Sequence, residues 1–213
     1  MKHTIRNLVC LLLCTATLST VCTGCSSTKI SAKNLMDDVS PFTIISDESP
    51  PKEFPAQMAD FSLSLLRQIG KTSPEENRLL SPVSIEMALS PTANGAKDEA
   101  LRQMEEVLGS SLDRLNLSMN CYREALSSEQ PKVLLANSLW MKEEKISPNQ
   151  DFLQTAADYY RPDIFSSPFD DSTVEDINHW VSDKTDGHIS NALDKISPDA
   201  VLYLINTLLV DGK

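Results

Sequence analysis

The last stretch of the chain constrains the possible folds more than any other. Residues 200–210 read AVLYLINTLLV, with no charged residue and only Asn206 and Thr207 interrupting the apolar run. A strand with one solvated face alternates polar and apolar residues, whereas a strand buried on both faces does not. A buried helix segment is the alternative, but the β-branched and aromatic content and the Asp211–Gly212 pair that follows favour a strand. We therefore predict an interior strand of a sheet that is covered on both faces.

Such a strand needs neighbours, and the chain offers one upstream. Val133–Met141 is a second nearly continuous apolar run, which predicts the adjacent strand. Between the two runs, Val174–Val181 has apolar residues on one helical side and is suited to lying across a sheet. The sequence therefore predicts an α+β domain whose sheet is unfinished within these 213 residues.

Helical patterns fill the chain before the first of these strands. Residues 56–70 carry an apolar stripe that ends at Gly70, and residues 100–108 carry another that closes at Gly109. Leu79–Leu80 is predicted as a short strand. A buried helix is predicted to start at Pro82, where the missing N–H costs nothing.

Pro91 falls inside this predicted buried helix. An interior proline costs ~3 kcal/mol, because it removes a backbone hydrogen bond and its ring clashes with the preceding turn. We therefore expect the helix to kink or stop near this residue.

The charge balance excludes some classes of partner. The formal net charge is −11, and 23% of the residues are charged. An acidic chain of this kind argues against nucleic-acid binding and against a basic patch that docks on an anionic membrane.

The N-terminal residues look like an export signal. Residues 1–25 have a basic start, an apolar core of about a dozen residues, too short for a membrane span, and small residues before Cys25. The end of this segment resembles a bacterial lipobox, which implies that Cys25 is acylated and anchors the protein. A plain signal peptide cut nearby, with Cys25 left unmodified, is the alternative. Residues 26–55, rich in Ser, Asp, Lys and Pro, are predicted to be a tether before a folded part at 56–213.

The predicted acylation of Cys25 also indicates where the protein is located. We expect an exported protein that is lipid-anchored at the outer face of a bacterial membrane, or otherwise a secreted one.

No motif for catalysis, a cofactor or a metal is found in the sequence. Without the predicted signal the chain keeps a single cysteine, Cys121, which lies on an apolar helical face and is interpreted as a core residue. His179 and His188 are nine residues apart, whereas a metal-binding pair on a helix needs a spacing of three or four. We expect neither an enzyme nor a cofactor-binding protein.

A series of motifs, in one order, is similar to the serpin family over residues 54–213. The motifs are NRLLSPVSIEMAL followed by NGAK and QMEEVLG, then VLLANSLWMKEE, PNQDFLQTAADYY, INHWVSDKTDGHI and LINTLLVDGK. The resemblance implies a serpin-like fold, of which this chain has the N-terminal helices and part of the central sheet, truncated before the C-terminal half.

The resemblance also implies a function, serine-type protease inhibition. In the family a long exposed loop near the C-terminus is cut by the target protease and inserts into the main sheet as a new strand. We expect that this chain, a bacterial lipoprotein-type serpin represented by its N-terminal portion, has no reactive-site bond and does not inhibit alone. A target protease is expected as partner if the missing C-terminal half is supplied. The alternatives are a non-inhibitory, surface-anchored binding module and half of a two-chain serpin.

The resemblance further implies a cluster that controls sheet opening. Ser81 and Ser84 at the start of the buried helix, together with Asn206 on the central strand, would form it, and Asn178 and Trp180 would lie on the covering helix. Buried hydroxyls and amides need partners, and partners that rearrange can support two states. The alternative is that Ser81 and Ser84 are helix caps and Asn206 a satisfied polar residue in the core.

Overall fold

The computed structural model describes residues 29–42, 51–72, 77, 79–128 and 132–211. Within that part no helix is long and apolar enough to cross a membrane. The elements in chain order are β1 (Lys33–Asn34), α1 (Phe54–Thr72), α2 (Pro82–Ala93), α3 (Asp98–Leu108), α4 (Leu112–Ser128), β2 (Lys132–Lys142), α5 (Gln150–Tyr159), β3 (Asp163–Ser167), α6 (Asp171–Lys184) and β4 (Leu202–Asp211).

The four strands form one sheet in the order β1-β3-β2-β4. β2 and β4 are antiparallel in a long register that runs from Lys132 opposite Asp211 to Met141 opposite Leu202. β3 lies parallel to β2 on its other side, and α5 provides the crossover connection that parallel neighbours require. β1 adds a short antiparallel edge to β3.

Helices cover both faces of the sheet. Successive side chains of β2 point to opposite faces and therefore pack against different helices. Leu139 and Met141 pack with Phe152 of α5 on one face. Trp140 points to the other face, where it stacks on Phe165 with ring centroids 4.2 Å apart and packs with α6. A third apolar cluster joins α1 to α4. The core is therefore layered, with the sheet between α6 on one side and the other helices on the opposite side.

The segment before α1 contains an ordered arm. Residues 29–42, named here the N-terminal arm, lie against β3 and α6. Asp176 of α6 is buried and accepts three hydrogen bonds from the arm: Ser31 N at 2.9 Å, Ser31 Oγ at 2.8 Å and Ala32 N at 2.8 Å. The amide of Leu35 donates to Ile164 O at 2.7 Å. The tether assignment for 26–55 stays a prediction, but residues 29–42 of that range are fixed on the domain.

The predicted fold class is confirmed, since helices and a partial mixed sheet form an α+β arrangement. The predicted strand at 200–210 exists as β4, but its burial was overestimated. Leu208 is 40% exposed and Val210 is 55% exposed. Within the described residues this end of the strand is only partly covered.

Two local predictions near the helices turn out differently. Leu79–Leu80 forms no strand, and Leu79 is fully exposed, because two apolar residues before Ser81-Pro82 find no strand partner. α1 continues past Gly70 to Thr72. α2 does stop close to Pro91, at Ala93. The prediction at Gly109 is confirmed: it has φ 72°, and its amide bonds to Glu105 O at the end of α3.

Candidate functional site

The start of α2 is built by two serines. Ser81 is the N-cap: its Oγ accepts from the amide of Ser84 at 3.4 Å, and Pro82 follows at the first helical position. The two hydroxyl oxygens are 2.9 Å apart, so each can donate to the other. Ser84 is buried. The hydroxyl pair therefore satisfies itself where α2 enters the core.

An amide pair links the two long strands. Asn206 of β4 lies directly opposite Asn137 of β2, and Asn206 Nδ2 donates to Asn137 Oδ1 at 2.7 Å. The two-residue period places both amides on the face that carries Leu139 and Leu204, which is the face that α5 covers. α2 packs on β4 as well. Polar side chains at this position join the strands across the core rather than facing solvent.

Asn178 and Trp180 lie on α6, on the opposite face of the sheet. Asn178 Nδ2 donates to Leu193 O at 2.7 Å, and Asn178 Oδ1 accepts from the amides of Ala192 and Leu193. Trp180 is buried, and its Nε1 donates to Asp163 Oδ2 at 2.8 Å. These contacts fix α6 to β3 and to the loop that leads into β4.

The predicted site residues thus fall into separate groups. Among the described residues, Ser81 bonds with Ser84 and Asn206 bonds with Asn137, as two pairs on one face, while Asn178 lies on the other. The contacts match the simpler interpretation, in which serines cap a helix and Asn206 is satisfied. They are equally compatible with pairs that exchange partners when the sheet opens.

A buried polar cluster was missed by sequence reasoning. Asn94, just after α2, and Asn116 of α4 form a reciprocal amide pair with both hydrogen bonds at 3.0 Å. Tyr160 Oη donates to Asn116 Oδ1 at 2.5 Å. Glu86 of α2 lies 1% exposed, and its Oε2 has no hydrogen-bond partner among the described residues. Polar residues on otherwise apolar helical faces were the sequence feature from which this cluster could have been predicted.

Burial has a clear electrostatic consequence in this cluster. Removal from water raises the pKa of Glu86 from 4.5 to about 7, because the charged form loses its hydration on burial. Burial also raises the pKa of Tyr160 far above its usual range, so this phenol stays neutral.

The other sequence predictions concern isolated positions. Cys25 lies outside the described residues. Cys121 is half-buried on α4. His179 lies half-buried on α6 and His188 is exposed beyond the end of that helix. Among the described residues no group of three His, Cys, Asp or Glu side chains is placed to hold a metal ion.

Comparison with known proteins gives a consistent result. The profile of the family described as serpin (serine protease inhibitor) matches residues 56–213. Serpin A12 of Mus musculus is 32% identical over 162 residues, which are 72% of this chain and 39% of that protein. Alpha-1-antitrypsin 1-1 of Mus musculus is 29% identical over 177 residues, covering 78% of this chain and 43% of that protein.

Solved structures agree with this match. The thermophilic serpin tengpin in its native state is 43% identical with a TM-score of 0.78, over 85% of this chain and 47% of that one. Tengpin in its latent state is 45% identical with a TM-score of 0.70, over 78% and 45%.

The chain spans less than half the length of these relatives. The family's description as inhibitors agrees with the prediction that the chain is not an enzyme. The motif order, the layered α+β fold and the match over residues 56–213 lead to one conclusion. The chain belongs to the serpin family.

Proposed function

We propose that this chain is the N-terminal portion of a serpin-type inhibitor of serine proteases, and that its part in inhibition is mechanical. The observation that carries this proposal is the position of β4. It pairs with β2 on one side, and within the described residues no strand pairs with its other side. Such an edge presents N–H and C=O groups to which a further strand can add. In the family, the loop cut by the target protease inserts into the main sheet in this way.

The residues beside this edge would control whether the sheet opens. The Ser81–Ser84 hydroxyl pair and the Asn137–Asn206 amide pair lie on one face, where α2 packs on β4. Hydroxyls and amides both donate and accept, so they can exchange partners when strands separate. Asn178 and Trp180 would hold the covering helix α6 in place.

The 213-residue polypeptide alone is proposed to be non-inhibitory. The matched residues correspond to 39–47% of the relatives described above, and the family's reactive loop lies near the C-terminus. A target protease becomes a partner when the C-terminal half is supplied, either within one longer chain or as a second chain. The open edge of β4 favours pairing with such a C-terminal half, in the same chain or in a second one, over a separate binding module, because it is a surface on which another strand can pair.

A chimera tests this proposal. We expect the purified 213-residue chain to form no SDS-resistant complex with trypsin, chymotrypsin or subtilisin. Fusing residues 29–213, which keep the N-terminal arm, to the C-terminal half of tengpin is expected to give such a complex with one of them, since tengpin is 43% identical over the matched region. A complex formed by the 213 residues alone would contradict the proposal, and so would a soluble, folded chimera that the proteases only cleave.

The same chimera tests the role of Asn206. Asn206→Ala leaves the buried Asn137 amide without its partner, which weakens the closed arrangement of the strands. We expect the variant to lose inhibitory activity on incubation several times faster than the parent chimera. Equal half-lives would assign Asn206 a purely structural role.

We also propose that residues 1–25 are a lipoprotein signal segment ending at Cys25, which is kept as the new N-terminus, and that acylated Cys25 holds the protein to the outer face of a bacterial membrane. When the chain is expressed in a bacterial host, it is expected to partition into the detergent phase of Triton X-114, and Cys25→Ala is expected to move it to the aqueous phase. Cys14→Ala, in the apolar core upstream of the lipobox-like stretch, is the matched control and should leave the partition unchanged. Detergent partition that survives Cys25→Ala would refute the anchor and leave secretion as the alternative.

A further inference from the structure

A cavity of about 330 Å³ lies where α4, β2 and the turn after α5 meet. Part of its wall is apolar and includes Leu126 of α4 and Leu135 of β2. Another part is formed by Arg123 and Arg161. This combination of an apolar wall and convergent charged groups is typical of small-molecule sites, and the volume is at the lower end of their range.

Arg123 is held in this wall with unused hydrogen-bonding capacity. Its side chain is 17% exposed, and Nη2 donates to Asn120 Oδ1 at 2.8 Å and to Glu124 Oε1 at 2.7 Å. Nε is buried and has no acceptor among the described residues. A buried guanidinium nitrogen without an acceptor is costly, because it has lost its water without replacement.

A second guanidinium competes for the same carboxylate. Arg161 Nη2 lies 3.6 Å from Glu124 Oε1, the oxygen that also accepts from Arg123. Arg161 is fixed at the end of α5, where its amide donates to Ala156 O at 2.9 Å. Burial and, next, the nearby Arg161 lower the pKa of Arg123. The exposed carboxylate of Glu124 is therefore shared by Arg123 and Arg161.

The remaining charges at the cavity compensate each other. Lys184 Nζ lies 3.2 Å from Asp163 Oδ2, and both residues are on the cavity wall. Among the described residues, counting Arg123 and Arg161 against Glu124 leaves one excess positive charge at this position, in a chain with a net charge of −11. This local reversal of sign attracts an anion.

From these contacts we propose that the cavity binds a small organic monoanion, a carboxylate with an unbranched apolar tail. The carboxylate would accept from the guanidinium groups of Arg123 and Arg161, which suit planar two-oxygen acceptors. The tail would lie against Leu126 and Leu135. At ~30 Å³ per non-hydrogen atom the cavity holds about ten such atoms, the size of octanoate. This proposal does not depend on the inhibitory function.

Calorimetric titration of the full chain with sodium octanoate tests the proposal. We expect one saturable site, weakened by added salt, since the attraction is partly between charges. Octanol, which has the tail without the charge, and inorganic phosphate, which has charge without the tail, should each bind at least tenfold more weakly. Equal binding of octanol, or binding at many equivalent sites, would overturn the proposal.

Arginine variants locate the site. Arg161→Gln changes a side chain that is 53% exposed, so folding is expected to be preserved, and octanoate affinity should fall about tenfold or more. Arg114→Gln, an exposed position on α4 with the same change of charge, is the matched control and should bind as the parent does. Unchanged affinity in Arg161→Gln, or an equal loss in both variants, would overturn the proposal. Arg123→Gln is a second variant, and it should also lose octanoate affinity. Its melting temperature is measured as well, to show that the variant is folded.

Discussion

Replacing Asp176 by alanine is expected to release the N-terminal arm from the domain. The carboxylate is buried and accepts from Ser31 N, Ser31 Oγ and Ala32 N, all at 2.8–2.9 Å. Hydrogen bonds to a charged acceptor contribute roughly 1.5–3 kcal/mol each and are not additive, so we expect the free energy of opening the arm to fall by about 4 kcal/mol. In hydrogen exchange, the amide of Leu35, which bonds to Ile164 O, should lose about a thousandfold protection.

Two variants separate this effect from a general change of charge. Asp183→Ala, at an exposed position on α6, removes the same charge and should leave the Leu35 amide protected. Asp176→Asn keeps the size but places an N–H₂ group where the carboxylate accepts, so it should behave much like the alanine variant. If Asp176→Ala leaves Leu35 as protected as the parent, the apolar contacts of the arm hold it without the carboxylate.

Sequence periodicity was sufficient to find the long strands but not their surroundings. β2 and β4 were predicted because their residues lack the alternation of a strand with a solvated face. The exposure of Leu208 and Val210 could not be predicted, because burial depends on which helices reach that end of the sheet. Leu79–Leu80 had a suitable composition for a strand, but a strand requires a partner, and pairing is a property of the whole fold.

The contacts that fix the site are non-local, and this explains what the sequence could not provide. Lys33–Asn34 has no strand-like pattern, and it forms β1 because β3 offers an edge and because Asp176, more than 140 residues away, binds the preceding residues. The Asn137–Asn206 pair depends on strand register. The serines at α2 were easier to place, since an N-cap is specified by neighbouring residues.

Glu86→Gln is expected to stabilise the protein, and to do so more at high pH. The unfolded chain releases this proton near pH 4.5, whereas burial raises the pKa in the folded state to about 7. Below pH 4.5 both states carry the proton and burial of the charge costs nothing. Between the two values the folded state retains a proton that the unfolded state has lost, so the free energy of unfolding falls as pH rises, and above about pH 7 the loss levels off.

The size of this effect follows from the shift in pKa. At ~1.4 kcal/mol per pKa unit, the penalty is about 1 kcal/mol at pH 5.5 and on the order of 3 kcal/mol at pH 8. Glutamine has the shape of the protonated acid and does not titrate. In urea unfolding, the free energy of unfolding of the variant should therefore exceed that of the parent by this penalty at each pH. The sequence isoelectric point of about 4.7 makes measurements at pH 5.5, 6.5 and 8 preferable to more acidic ones.

Glu175→Gln provides the comparison, because it makes the same replacement at an exposed position on α6 and should leave the pH dependence unaltered. Burial raises the pKa of Tyr160 far above this range, so its phenol remains neutral and does not contribute to the pH dependence. A Glu86→Gln protein whose stability runs parallel to that of the parent from pH 5.5 to 8 would mean that the carboxylate is charged, and paired or hydrated, in the folded state. In that case the orphaned oxygen in the core would have to have a partner that the described residues do not supply.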